Sequence, residues 1–148
     1  MMIQELMKKG INMSDWVYDM YRMHEKYGVH EWVSKNINDK ELMSKFLEFR
    51  LKFLQEELDE TRKAAVDGDP EEIVDGLIDL CVVAIGTLDA FNVDAHQAWK
   101  EVHKANMSKE PGIKESRPNP LGLPDLIKPE GWEGPSHRDN HGYFRNTV

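Results

Sequence analysis

Residues 46–64, FLEFRLKFLQEELDETRKA, open as the apolar side of a helix and then place four carboxylates in five positions: Glu56, Glu57, Asp59 and Glu60. Phe46, Phe49 and Phe53 follow helical spacing. The same stripe continues through Glu57, Glu60 and Ala64, each three or four residues beyond the last. Two carboxylates are therefore expected at core-type positions. Burying an unpaired carboxylate costs several kcal/mol, roughly, so such groups must be paired, protonated or bound to cations.

Around this stretch the chain reads as helical. Ser14 is expected to cap a helix over DWVYDMYRMHEKY (15–27), ended by Gly28, and VHEWVSKNI (29–37) reads as a connection containing a short helical turn. Asn38 with Glu41 resembles a capping box that opens a long helix to about Val66. Asp69, Pro70 and Glu72 mark a second start, running to about Phe91, and Asp94 with Gln97 a third, running to about Met107. After Glu110, prolines and glycines crowd residues 111–142 and the tail reads as irregular. The expected architecture is all-α and four-helix-bundle-like, with a domain over 1–110 and an extended tail over 111–148 packing on that domain or on a neighbouring subunit.

The 148 residues, 40% hydrophobic, suffice for one domain with a core. A net charge of −8 argues against nucleic acid as a partner, since the phosphate backbone is held by clustered Lys and Arg. One cysteine, Cys81, excludes an internal disulfide and fits a reducing cytoplasm. No long uncharged apolar run and no leader pattern is evident, so neither a membrane span nor a signal peptide is expected.

The helix after GDPEE carries its own acidic stripe, Glu72, Asp75, Asp79, Val82 and Gly86, with Asp79 inside the apolar run LIDLCVVAIG. Two antiparallel helices joined by the short DGDPE link would bring Glu57 and Glu60 opposite Asp75 and Asp79. The simplest account of the first stripe is a solvated face neutralised by Arg50, Lys52, Arg62 and Lys63. Four or five converging carboxylates instead call for hard divalent cations, and a mixed Asp and Glu set suits Mg2+ or Mn2+. A di-iron site would need Glu-x-x-His pairs, which are absent. His96 and His103 lie seven apart on one helix face but lack a third ligand and are left out of the site.

The Glu-x-x-Glu of EELDE, then VDGLIDLCVVAIGTLDAFNVD (74–94) and EVHKANMSK (101–109), resemble in order and spacing the all-α NTP pyrophosphohydrolases of the MazG-like and phosphoribosyl-ATP-pyrophosphohydrolase-like group. With MHEKYGVHEWV, RPNPLGLPDLIKPEGW and DNHG included, the match is most similar to the MazG proteins of cyanophages. The resemblance implies a Mg2+-dependent enzyme, in the host cytoplasm if phage-encoded, that cleaves nucleoside triphosphates, typically deoxynucleotides, to monophosphate and pyrophosphate. Glu57, Glu60 and Asp79 would hold the ions, with Asp75 as a fourth ligand and Glu56 as a further ligand or the base that deprotonates water.

Arg50, Asn106 and Lys109 are the implied triphosphate contacts, although the last two also fit an ordinary helix end. Trp16 and Trp32 flank the region where related enzymes hold the base, and KPEGW (128–132) reads as a lid. Relatives usually place a Glu three residues before Asp79, where this chain has Gly76, so the carboxylate is expected to have moved to Asp75, with Glu72 as the rival. The wide apolar surface of Leu42, Phe46, Leu47, Leu51, Leu54 and Leu58 implies a homo-oligomer, dimer or tetramer. The contrasting reading is a non-catalytic helical module whose acidic groove docks a basic partner.

Overall fold

A computed structural model describes residues 2–10, 14–117 and 119–148, so Pro118 of the tail lies outside it. The elements are α1 (Ile3–Lys8), α2 (Trp16–Lys26), α3 (Val29–Asn36), α4 (Lys40–Asp67), α5 (Pro70–Ala90), α6 (Ala95–Met107), β1 (Glu110–Gly112), β2 (Asp125–Ile127) and α7 (Phe144–Thr147). The fold is all-α with one small antiparallel ribbon, in which Glu110 faces Ile127 and Gly112 faces Asp125. None of the described helices is long and apolar enough to cross a membrane.

Aspartates start the four main helices. The side chains of Asp15, Asp39, Asp69 and Asp94 accept from the backbone N–H of Tyr18, Leu42, Glu72 and Gln97, contacts worth about 0.5–2 kcal/mol each. The caps expected at Ser14 and Asn38 thus fall one residue later, on carboxylates that also complement the helix dipole. The stretch 29–37, read as a connection, is mostly the helix α3, entered from Gly28 at φ 77°. Gly68, at φ 69°, ends α4, and Pro70 opens α5 two residues later. Such a short link forces α4 and α5 to pack as antiparallel neighbours.

Two contacts fix their register. Near the far end of the pair, Arg50 Nε donates to Thr87 Oγ1 at 2.9 Å and Arg50 Nη2 to the Val83 carbonyl at 3.0 Å. Near the link, a Cβ built on Gly76 would lie 2.1 Å from Thr61 Oγ1, so the helices touch with no room for a side chain. Each residue forward on α4 is matched by one back on α5, and Glu57 falls level with Leu80 and beside Asp79.

The buried core sits beyond Arg50, where Val33, Met43, Ala90 and Phe91 cluster with Phe46, Leu47 and Phe144 around them. The tail read as irregular contributes to it. Phe144 stacks on Phe91 with ring centroids 4.3 Å apart, and Tyr143 N–H donates to the Phe91 carbonyl at 2.7 Å. Gly142 permits that approach, because a Cβ there would lie 2.0 Å from the Phe91 oxygen. Asn140 clasps the start of α6 through both Asp94 N–H and Asp94 C=O at 2.8 Å.

The α2 helix reaches α5 around Gly86 and Asp89, and its 11 residues span only about 16 Å, against about 42 Å for the 28 residues of α4. The link end of the α4–α5 pair is therefore uncovered among the described residues, and Val74, Leu77 and Ile78 stay exposed. Replacing Gly76 by Ala should force Thr61 aside and destabilise the fold by about 1–3 kcal/mol. Thermal unfolding checks this, with a lowered midpoint expected; an unchanged midpoint would contradict the close approach of α4 and α5.

Candidate active site

The inward face of α4 runs through Met43, Phe46, Arg50, Phe53, Glu57, Thr61 and Ala64, all buried or half-buried. Glu57 therefore holds the core-type position expected for it. Glu60 does not: it is exposed, as is Phe49, while Arg50 and Thr61 occupy the inward line instead. The reason is geometric. Steps of three and four residues both follow a helix, and the contact with Gly76 selects the line through Thr61.

On α5 the corresponding line is Ile73, Gly76, Asp79 and Val83, so Asp79 is half-buried whereas Asp75 and Glu72 are exposed. The absence of a carboxylate at 76 has a steric cause, since any side chain there meets Thr61. Two half-buried carboxylates, Glu57 and Asp79, are thus rimmed by exposed Glu56, Glu60 and Asp75. Burial first, and then the negative charges of Asp79, Glu60, Asp75 and Glu56, push the Glu57 carboxyl above its usual range.

Of the four cations expected to neutralise this face, Arg50, Arg62 and Lys63 are engaged with other partners, and Lys52 is exposed with no salt bridge among the described residues. Arg62 lies 4.0 Å from Asp59, Lys63 pairs with Asp67 at 2.6 Å, and Arg50 turns to Thr87 and Val83. Among the described residues, no salt bridge reaches Glu56, Glu57, Glu60, Asp75 or Asp79. This unneutralised set of oxygen donors fits a hard divalent cation. The five carboxylates do not converge to the tightest donor spacing, however. That belongs to His24, His30 and Asp89, whose ligand atoms lie within 4.8 Å of one another. Sequence reasoning missed this trio because its members come from three helices, and only the folded chain joins them.

The remaining expected contacts are spread out. Asn106 is exposed at the end of α6, and Lys109 Nζ sits over the Trp132 ring, 5.4 Å from its centroid. Lys128 covers the same ring at 5.0 Å, and Trp132 Nε1 donates to the Ala105 carbonyl at 2.9 Å. KPEGW is thus fastened to the end of α6. Trp32 packs on Phe46, with ring centroids 5.0 Å apart, whereas Trp16 at the start of α2 is half-exposed. His96 is bonded to Asp15, at 3.0 and 3.1 Å.

The raised Glu57 carboxyl has a stability consequence with a definite sign. A carboxyl whose folded-state pKa exceeds its unfolded value stabilises the fold at low pH and loses that contribution as pH rises through the folded value. In chelator, Glu57→Gln should therefore unfold at a higher temperature than the parent at neutral pH, the gap closing below about pH 4.5. Melting curves across that range test it, and a neutral-pH gap of opposite sign would contradict the repulsion.

No significant match to a curated protein is found. The family model described as phosphoribosyl-ATP pyrophosphohydrolase matches residues 27–106, more than half of the chain, spanning α3, α4, α5 and nearly all of α6. The matched span holds Arg50, all five acidic site residues and Asn106, and the chain belongs to the phosphoribosyl-ATP pyrophosphohydrolase family.

Proposed function

We propose that this pyrophosphohydrolase cleaves nucleoside triphosphates, typically deoxynucleotides, to the monophosphate and pyrophosphate, with Mg2+, or Mn2+ in its place, held by Glu57, Glu60, Asp75 and Asp79. Family membership supplies nucleotide pyrophosphohydrolase chemistry. The observation that supports the finer reading is geometric: Glu57 and Asp79 are half-buried on facing helices, rimmed by exposed Glu56, Glu60 and Asp75, and among the described residues no salt bridge reaches any of the five. The triphosphate substrate rests on the resemblance carried by EELDE, VDGLIDLCVVAIGTLDAFNVD and EVHKANMSK, and the cyanophage MazG kinship on the wider match that includes MHEKYGVHEWV, RPNPLGLPDLIKPEGW and DNHG.

Bound divalent ions would neutralise phosphate oxygens and supply a positioned water. The chain's own residues divide the remaining work. Glu57 and Asp79, half-buried on facing helices, fix the site's position, while Glu60 and Asp75 close it from the rim. Glu56, exposed beside Glu57, is a further ligand or the group that takes the proton from the attacking water. Arg50 lies two turns from Glu57 on the same inward line, and its bonds to Thr87 and Val83 use two of five N–H donors, leaving others for phosphate oxygens. Lys109 and Asn106 would meet the far phosphates, with Trp16 and Trp32 on the base. A second copy of the chain would cover the exposed apolar side chains of the α4–α5 pair, Leu51, Leu58, Val74, Leu77 and Ile78.

Product analysis across a panel of NTPs and dNTPs with Mg2+ should show monophosphate and pyrophosphate in equal amounts from the earliest time points. Accumulating diphosphate and orthophosphate would overturn the reading, and no turnover at all would favour a docking module. Asp75→Asn and Asp79→Asn should each lower kcat/KM at least about tenfold, as loss of a ligand does, with Glu72→Gln much milder. The reverse order would shift the α5 half of the site by one turn. Light scattering at micromolar concentration should give a multiple of 17.2 kDa, and a lone monomer would refute the covering copy.

A further inference from the structure

Where α2, α3 and α5 meet, His24 Nδ1 and His30 Nε2 both lie 2.7 Å from the same oxygen, Asp89 Oδ2. His24 and Asp89 are 3% and 11% exposed and His30 is 22% exposed, so the trio is largely removed from water. The other ring nitrogen of His30 bonds to Glu25. With a carboxylate against each of its nitrogens, the His30 ring needs a positive charge at Nε2 or beyond it. A proton meets that need in the structure as it stands, and a metal ion between the ring and Asp89 would meet it after a small separation of the two.

We propose that His24, His30 and Asp89 form a second cation site, for a borderline-soft ion of the Zn2+ class, separate from the acidic site on α4 and α5. Two nitrogens and one carboxylate oxygen are a donor set of that class, with a fourth position left to water. Glu25 stands where metal-bound imidazoles usually keep a carboxylate, on the nitrogen away from the ion, fixing ring orientation and tautomer.

The present spacing is that of hydrogen bonds. Ligands about 2.05 Å from a tetrahedral ion stand about 3.3 Å apart, so each imidazole has to withdraw from Asp89 by about 0.6 Å, and the two ligating nitrogens, now within 4.8 Å of each other, have to settle at the same spacing. Binding would release the His30 Nε2 proton to solvent, keep the Nδ1 proton against Glu25, and shift the His24 proton from Nδ1 to Nε2.

Charge around the trio is mixed. Burial, followed by the nearby charges of Arg50 and His30, holds His24 below the usual histidine range against the pull of Asp89. Burial opposes charge on His30, but Glu25 and Asp89 outweigh it and raise its pKa. Zn2+ and a proton compete for His30 Nε2, so Zn2+ affinity should fall as pH drops. Arg50 is packed close by: a Cβ on Gly86 would lie 2.8 Å from Arg50 Nη2 and 3.2 Å from His24 Cε1.

The test is titration of the metal-free full chain with Zn2+ by calorimetry and with Co2+ by visible absorption. The parent should bind one equivalent at this site, with the intense absorption of four-coordinate Co2+. His30→Gln and Asp89→Asn should lose it. Glu57→Gln, which removes a ligand of the acidic site, should retain it, so failure of this site and failure of the acidic one are distinguishable. Glu25→Gln alters an exposed side chain that touches the ion only through His30, and should weaken binding about 10–100-fold while the chain stays folded. Absence of a stoichiometric site in the parent, affinity unchanged in Glu25→Gln and His30→Gln, or loss confined to Glu57→Gln would each overturn the assignment.

Discussion

The contact of α4 with α5 across Gly76 governs the rest of the molecule. Because no side chain fits between Thr61 and Gly76, the helices approach closely there, and the Arg50–Thr87 hydrogen bond holds the same register further along. A shift of one residue would rotate each facing position by about 100° and carry Glu57 away from Asp79. Arg50 itself is part of the device. A buried guanidinium is costly unless its donors are met, and Thr87 Oγ1 and the Val83 carbonyl meet two of them.

That register concentrates like charge instead of relieving it. Glu57 and Asp79 are half-buried on facing helices, and the neighbouring Arg62 and Lys63 turn to Asp59 and Asp67 along their own helix. The exposed pairs contribute little to stability. Near the other end of α5, His24, His30, Asp89 and Glu25 bond to one another, and Arg50, bonded to Thr87 and Val83, adds a positive charge close by. Repulsion therefore belongs to one end of the α4–α5 pair and compensation to the other. This contrast separates the face proposed for hard cations and phosphates from the trio proposed for a softer ion.

The C-terminal tail explains how so short a set of helices closes a core. Phe91 ends α5 at a point where its carbonyl and ring would face water. Tyr143 N–H and the Phe144 ring cover them, and Thr147 is buried in the same place. Trp132 does comparable work at the end of α6, satisfying its indole N–H on Ala105 and gathering Lys109 and Lys128 over its ring.

The sequence by itself determined the helical class, the starts at Asp69 and Asp94, the short reversal between α4 and α5, and the acidic character of both helices. These are local matters of capping, spacing and composition, and the family motifs were legible for the same reason. Spacing left open which of two neighbouring lines on each helix faces inward. Glu57 and Asp79 lie on the chosen lines, Glu60 and Asp75 do not, and the choice was made by a glycine on one helix meeting a threonine on the other. The trio of His24, His30 and Asp89 was hidden for a related reason: its residues are 59 and 65 positions apart along the chain, and no periodicity reports contacts between three helices. Only the tertiary structure decided these points, because steric fit and charge pairing between elements depend on distances that the chain acquires on folding.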